Sequence, residues 1–185
     1  MVLPGPDSIS AIGKKYLEYL TDVLATCETK STRIEKLIQL IQGARAIHVY
    51  GFGRSGAAAL AFAIRLRHFC NVLPPVWWVG DQVREPIRNG DLLIIFSGSG
   101  DRPEIATVAR KGKQASACLV LITATETLPP GLAPDLIILL PKIPNVPVYG
   151  GGDFELGAYF LQEVLVIHIG TMLGIPVNEV GKNHV

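Results

Sequence analysis

The sequence predicts a three-layer αβα sandwich built on a five-stranded parallel sheet, a doubly wound architecture of the flavodoxin type. Short apolar runs alternate with longer segments of helical periodicity along most of the 185 residues, as they do in α/β proteins. The apolar runs are nearly continuous in Val, Ile and Leu, which is typical of parallel strands covered on both faces. In such a sheet, ligands bind at the carboxyl ends of the strands.

Two helices precede the first strand. Apolar residues recur at three- and four-residue steps from Asp7 to about Gln42, while charged residues fall on the other faces. A break near Thr29–Ser31 divides this segment, so the second helix begins at about Thr32. Such a leading pair is unusual for a domain that only binds a nucleotide.

Five strands follow, each predicted from a short apolar run. They are Ala46–Tyr50, Val76–Val79, Leu92–Phe96, Ala117–Thr123 and Leu136–Leu140. Helices are predicted over Ser55–Phe69 and over about Pro103–Gln114, where Pro103 suits the first helical turn.

The last helix, from Asp153 to about Leu173, is apolar nearly all round over Val164–Ile169. A helix of this kind is buried on several sides, which is more than one small domain easily provides. We therefore predict a homo-oligomer, either a dimer or a tetramer. We expect residues 1–185 to form one domain, with an α/β core at about 44–175 and a tail at 176–185.

The composition narrows the class of protein. A formal net charge of only +1 argues against a nucleic-acid partner. No apolar stretch reaches the about 20 residues of a spanning helix, and no signal peptide is expected at the N-terminus. Cys27, Cys70 and Cys118 are widely separated, which favours buried free thiols in a cytoplasmic protein. His48 and His168 lie in apolar runs and are predicted to belong to the core.

Two glycine-serine loops carry the main functional signal. Gly51–Gly56 directly follows the first predicted strand, and Ser97–Gly100 directly follows the third. A sharp strand-to-helix turn directs backbone N–H groups and the positive end of a helix dipole at one point, where an anion binds. Ser55, Ser97 and Ser99 add hydroxyl donors that suit a phosphate group. The alternative is that these serines only cap helix N-termini.

A dinucleotide site is a second interpretation of the first loop. Gly51–Gly56 matches the pattern GxGxxG, and Asp81 stands about where a ribose-binding acid is expected. The second serine loop has no role in that scheme, and the fingerprint usually opens its domain. The sequence therefore favours a phosphorylated ligand held between two loops.

The combination of GxGRSG at 51–56 with SGSG at 97–100 resembles the sugar isomerase (SIS) domain. More narrowly, the chain is similar to 6-phospho-3-hexuloisomerases over about residues 7–175. The segments that carry the narrower resemblance are Gly51–Gly56, Ala61–Leu66 with His68, Gly90–Ile94, Ser97–Gly100 and Phe154-Glu155.

The resemblance implies an isomerase that interconverts 3-hexulose 6-phosphate and fructose 6-phosphate through an enediol, with no metal or cofactor. It implies that Glu155 is the base and that Arg54 contacts the phosphate or the enediolate. It also implies that His184 opens the sugar ring, if necessary in the site of a neighbouring subunit. The substrate-binding residues that we expect are Gly53, Ser55, Ser97, Gly98, Ser99, Asp101 and His68. From the residues alone, Glu155 is equally well a first-turn carboxylate that favours the helix dipole.

Three segments depart from the hexuloisomerase pattern. Gly80–Pro86 replaces a Thr-rich segment, Asp101-Arg102 replaces Arg-Thr, and Val148–Asp153 lacks the usual Met-Gly-Thr. An acid at residue 101 resembles the arabinose-5-phosphate isomerases of the same superfamily. Two alternatives therefore stay open: an isomerase for another sugar phosphate, and a non-catalytic sensor of sugar phosphates.

Overall fold

The fold is an α/β sandwich, described by a computed structural model over residues 8–143 and 152–181. The helices of these ranges are α1 (Ile9–Thr29), α2 (Ser31–Gly43), α3 (Gly53–Arg67), α4 (Pro103–Gln114), α5 (Asp153–Met172) and α6 (Val177–Gly181). The strands are β1 (Ile47–Gly51), β2 (Val76–Trp78), β3 (Leu92–Phe96), β4 (Cys118–Thr123) and β5 (Leu136–Leu139). Every predicted strand is present, and α6 is the one described element that the sequence did not predict.

The five strands form one parallel sheet in the order β2-β1-β3-β4-β5. The chain moves outward from β1 in both directions, which makes β1 and β3 the central strands. In a doubly wound sheet of this kind, the loops that follow two neighbouring strands run to opposite faces of the sheet. A crevice therefore opens between them at the carboxyl edge. The predicted fold class is confirmed.

The two faces of the sheet are covered unequally. The larger core joins one face to α1, α2, α3 and α5, and includes Val49 of β1, Ile94 of β3 and Val120 of β4. The opposite face, with Leu93 and Ile95, packs against α4. Alternate residues of β3 thus enter different cores, as the pleat of a strand requires.

Lys30 separates the two leading helices. Its backbone, at φ −112° and ψ 34°, leaves the helical region between α1 and α2. The predicted break is thereby confirmed, although both helices extend closer to it than expected. α1 packs against α5, so the leading pair belongs to the same body as the sheet.

Two predictions about buried side chains are wrong. His168 is exposed, because α5 packs on α3 and α1 with one side and turns its other side outward in a single chain. Cys70 is exposed, and Cys27 and Cys118 are only partly buried, although all three are free thiols. His48 is fully buried, as predicted. Within the described ranges, no helix combines the length and the apolar character that crossing a bilayer requires.

Candidate active site

A cavity of about 930 Å³ opens at the carboxyl edge of the sheet. Its walls come from the first turns of α3 and α5, the Ser97–Gly98–Ser99 loop with residues 101 and 102 before α4, and the segment that follows β4. This is the edge at which doubly wound sheets bind their ligands. Both glycine-serine loops singled out in the sequence therefore line the same cavity.

The first loop is a turn that only glycine permits. A Cβ at Gly51 would lie 2.8 Å from the carbonyl oxygen of Ser55, and one at Gly56 would lie 2.8 Å from that of Gly51. Gly53 begins α3 with φ at +59°, in the left-handed region. The close contact of strand and helix brings Arg54 and Ser55, in the first turn of α3, to the cavity wall.

The second loop is held by its own backbone and by the end of β4. The Ser97 hydroxyl accepts a hydrogen bond from the Gly100 N–H at 3.1 Å. The Gly98 carbonyl accepts from the Ala124 N–H and from the Thr123 hydroxyl, each at 3.1 Å. The Ser99 hydroxyl donates to the Asp101 carboxylate. The loop is therefore a fixed turn, which lowers the entropic cost of ordering it around a ligand.

The structure rejects capping of α3 and α4 as the role of the loop serines, because no serine occupies the N-cap position of either helix. The residues at the N-cap positions are Phe52 and Arg102, and neither makes a side-chain capping hydrogen bond. Ser55 lies inside the first turn of α3, and Ser99 bonds to Asp101.

Glu155 joins the first loop to α5. Its Oε1 accepts a 3.0 Å hydrogen bond from the Ser55 hydroxyl, and its Oε2 lies 3.4 Å from Nη2 of Arg54. The carboxylate side chain is 23% exposed, against 57% for Arg54. Oε2 is buried and accepts no hydrogen bond from the residues that the structure describes. An acidic group, a cation and a hydroxyl donor thus meet at one corner of the cavity.

The cavity wall combines the N-termini of three helices with side chains of both charges. The N-termini of α3, α4 and α5 all lie at its wall, and each carries a partial positive charge. The cationic side chains are Arg54, Arg102 and Lys142, and the acidic ones are Asp101, Asp153 and Glu155. The balanced side-chain charges leave the helix N-termini and loop amides as the feature that favours an anion.

Residues 40–152 match the family model of the SIS domain. The chain belongs to the SIS domain family. A 3-hexulose-6-phosphate isomerase of Methanocaldococcus jannaschii is 30% identical over 82% of this chain and 82% of its own length. An uncharacterised protein of Archaeoglobus fulgidus is 39% identical over 49% of this chain. The chain spans about half the length of that relative, 48%.

Solved structures extend the comparison. A Methanococcus jannaschii protein, whose crystal structure infers a molecular function of 3-hexulose-6-phosphate isomerase, is 26% identical to this SIS domain. The two superpose with a TM-score of 0.79, covering 91% of this chain and 97% of the other. The resemblance to the SIS domain and to hexuloisomerases, predicted from the two loops, is confirmed.

The SIS domain brings together most of the residues predicted for the site. Gly53, Arg54 and Ser55 line the cavity, together with Ser97, Gly98, Ser99, Asp101 and Glu155. His68 does not, because it lies at the opposite end of α3, about 20 Å from the first turn at 1.5 Å per residue. Asp81, the acid of the dinucleotide interpretation, is not part of the wall either. His184 lies outside the described residues.

Sequence reasoning missed five polar residues of the cavity wall: Arg102, Thr125, Thr127, Lys142 and Asp153. Thr125, Thr127 and Lys142 follow β4 and β5 closely, so the rule that ligands bind at the carboxyl ends of parallel strands could have found them. Asp153 ties the sheet to α5, because its Oδ2 accepts a 3.3 Å hydrogen bond from the Ile143 N–H. Among the described residues, no group of His, Cys, Asp and Glu has the arrangement of a metal site.

Proposed function

We propose that this SIS domain is a phosphosugar isomerase that interconverts 3-hexulose 6-phosphate and fructose 6-phosphate through an enediol. The observation that carries the proposal is the Glu155 carboxylate, held between Ser55 and Arg54 in the cavity that also contains the Ser97–Gly100 loop. The names of the related isomerases support the same chemistry.

Glu155 acts as the base. The carboxylate removes the proton from the hydroxyl-bearing carbon next to the carbonyl, and the electron pair moves to the carbonyl oxygen to give an enediolate. The protonated carboxyl then returns its proton to the neighbouring carbon, while the hydroxyl proton passes between the two oxygens. A positioned base is worth about 10²–10⁴-fold in rate. Arg54, beside Glu155, stabilises the negative oxygen of the enediolate.

The phosphate binds the second loop. Residues 97–99 end three residues before α4. The second and third residues of α4, Glu104 and Ile105, present its first helical N–H groups, because Pro103 has none. Gly53 and Ser55 of the first loop close the other side of the cavity. Asp101 contacts the phosphate only through Ser99, since a direct contact would place two negative groups together.

We also propose that the chain works in the cytoplasm as a homo-oligomer, a dimer or a tetramer. The outer faces of α3 and α5 expose large apolar side chains, including Ile64 (49%) and Ile167 (63%). Because α3 and α5 pack on each other, these side chains lie on neighbouring helices, where association of two copies would bury them.

The test is a panel of hexulose, pentulose and heptulose phosphates, assayed with the purified protein and with Glu155→Gln. We expect turnover of 3-hexulose 6-phosphate that falls by about 10²–10⁴-fold in the variant. Glu163→Gln is the matched control, because Glu163 lies on the same helix, outside the cavity wall, and pairs with Arg65 at 3.1 Å. It should keep the wild-type rate.

Other outcomes decide between the alternatives. Preferred turnover of arabinose 5-phosphate would assign the other isomerase activity. Binding of a sugar phosphate in a thermal-shift assay, without turnover of any substrate in the panel, would assign a non-catalytic sensor. Unchanged turnover in Glu155→Gln would remove Glu155 from the mechanism.

A further inference from the structure

We propose that Asp153 is a second catalytic carboxylate, which moves the hydroxyl proton between the two oxygens of the enediolate. This inference rests on the proposed isomerase function and deepens it, because the base Glu155 accounts only for the proton on carbon. Isomerisation also requires that a proton leave the hydroxyl oxygen and reach the former carbonyl oxygen. Asp153 closes the segment in which the sequence departs from the hexuloisomerase pattern.

The Asp153 side chain is fixed at the cavity wall. It belongs to the first residue of α5 and lines the cavity together with Glu155. Its Oδ2 accepts a 3.3 Å hydrogen bond from the N–H of Ile143, a buried residue that follows β5. Because the protein already holds this carboxylate in one place, a bound substrate can meet it without a further loss of conformational freedom.

The other oxygen of Asp153 is available for chemistry. Oδ1 accepts no hydrogen bond within the described ranges, and it is not enclosed by protein as Oε2 of Glu155 is. An oxygen with a free lone pair at a cavity wall can accept the proton of a ligand hydroxyl and give it back. The bond at Oδ2 therefore keeps the carboxylate in place, and Oδ1 is the atom that exchanges the proton.

The two carboxylates are drawn to opposite sides of the cavity. Glu155 contacts Ser55 and Arg54 of α3, the helix that follows β1. Asp153 bonds to Ile143 beyond β5, and β3 and β4 lie between β1 and β5 in the sheet. A sugar bound between the carboxylates presents its carbon to Glu155 and its oxygens to Asp153. The separation also limits the repulsion between two negative groups.

The proton balance closes without a further reagent. Glu155 takes the proton from carbon, and the carbonyl oxygen becomes the negative oxygen of the enediolate. Oδ1 of Asp153 takes the proton of the neighbouring hydroxyl and gives it to that negative oxygen, so the charge moves to the oxygen that becomes the new carbonyl. As the new carbonyl forms, the electron pair of the double bond takes the proton from Glu155 onto the other carbon. Both carboxylates end as they began.

The experiment measures turnover of 3-hexulose 6-phosphate and hydrogen exchange in deuterated water, for wild type, Asp153→Asn and Asp153→Ser. Both variants keep an oxygen that can accept from the Ile143 N–H, but they lose the carboxylate. We expect kcat to fall by about 10²-fold in each variant. Glu155 still removes the proton from carbon, so deuterium should enter the recovered substrate. The ratio of exchange to product formation should therefore rise by about tenfold or more.

Asp22→Asn is the matched control, because Asp22 is exposed on α1 and lies outside the cavity wall. It removes the same charge and should keep the wild-type kcat and exchange ratio. Glu155→Gln is the second comparison, since loss of the base should stop exchange and product formation together.

Two results would overturn the inference: an unchanged kcat in either Asp153 variant, or equal losses of exchange and product formation in both. Equal losses are what a purely structural role of Asp153 gives. Failure of the proposed function looks different. If wild type turns over no sugar phosphate, the isomerase function fails and the proton transfer at Asp153 fails with it. If wild type is active but the exchange ratio does not rise in the variants, only the role of Asp153 fails.

Discussion

The ring of Phe154 occupies the space that a side chain at residue 98 would need. A Cβ built at Gly98 would lie 3.0 Å from Cγ of Phe154, and the Phe154 side chain is buried. The second glycine-serine loop is thus packed directly against the first turn of α5, one residue before Glu155. Glycine at residue 98 lets the base approach the loop that is proposed to hold the phosphate.

Gly98→Ala adds only one methyl group, but it should impair catalysis. The added methyl group must displace the Phe154 ring and, with it, the first turn of α5. We expect a loss of about 1–3 kcal/mol of unfolding free energy and a fall in kcat, measured by urea denaturation and steady-state assay. Gly13→Ala is the control, since a Cβ there meets nothing within 4 Å and the residue lies inside α1. It should stabilise the protein by about 0.5–1 kcal/mol. Unchanged kcat in Gly98→Ala would contradict the proposed link.

Asp101→Asn should strengthen phosphate binding. The exposed carboxylate accepts from the Ser99 hydroxyl at the cavity wall, so it adds negative charge and engages a donor that phosphate could use. Removing one exposed negative charge beside the bound phosphate should improve the free energy of phosphate binding by about 1 kcal/mol, which is about fivefold in affinity. Calorimetric titration with inorganic phosphate at low and high salt measures this gain, which should shrink as salt rises.

Asp81→Asn is the matched control for Asp101→Asn, because Asp81 is exposed and lies outside the cavity wall. It should leave the affinity unchanged. Weaker phosphate binding in Asp101→Asn would instead mean that Asp101 orients Ser99 for the ligand.

Stability should fall when the pH drops below about 6.5, the ordinary pKa of histidine. Burial lowers the pKa of His48 in the folded protein, although the bond between its Nε2 and Asp91 Oδ2 at 3.0 Å opposes this shift. The unfolded chain therefore binds a proton at a higher pH than the folded one. The stability is full above the unfolded pKa and decreases as the pH falls toward the folded pKa, with a slope of up to about 1.4 kcal/mol per pH unit.

Urea denaturation between pH 8 and pH 5 measures this effect. His48→Gln keeps an N–H donor for Asp91, which Arg45 also holds through a 2.8 Å ion pair. The variant should lose the pH dependence in this window. An equal slope in wild type and His48→Gln would assign the effect to other groups.

Ile167→Glu should dissociate the proposed oligomer. Ile167 is 63% exposed in the single chain and lies on the outer face of α5, so burial of a carboxylate there would oppose association. Light scattering at micromolar concentration measures the mass. Val83→Glu is the control, because Val83 is 87% exposed in the loop before β3 and belongs to neither α3 nor α5. A wild-type mass equal to that of one chain would contradict the proposal.

Local patterns determined the architecture and the family from sequence alone. Continuous apolar runs identified β1 to β5. A parallel strand that is buried on both faces is apolar along its whole length, and this is visible in the local sequence alone. Glycines at 51, 53 and 56 identified the tight turn into α3, because that turn depends on backbone space within six residues. The two serine loops converged on one cavity because parallel strands all end at the same edge.

Only the tertiary structure decided how distant side chains meet. Ser55 was expected at the phosphate, yet its hydroxyl bonds to Glu155, because α3 and α5 pack with their first turns together. His68 carries a family pattern but lies a helix length from the cavity, and His168 carries an apolar pattern but faces outward. Periodicity specifies which face of a helix is apolar, whereas the packing of helices on the sheet determines which atoms come within bonding distance.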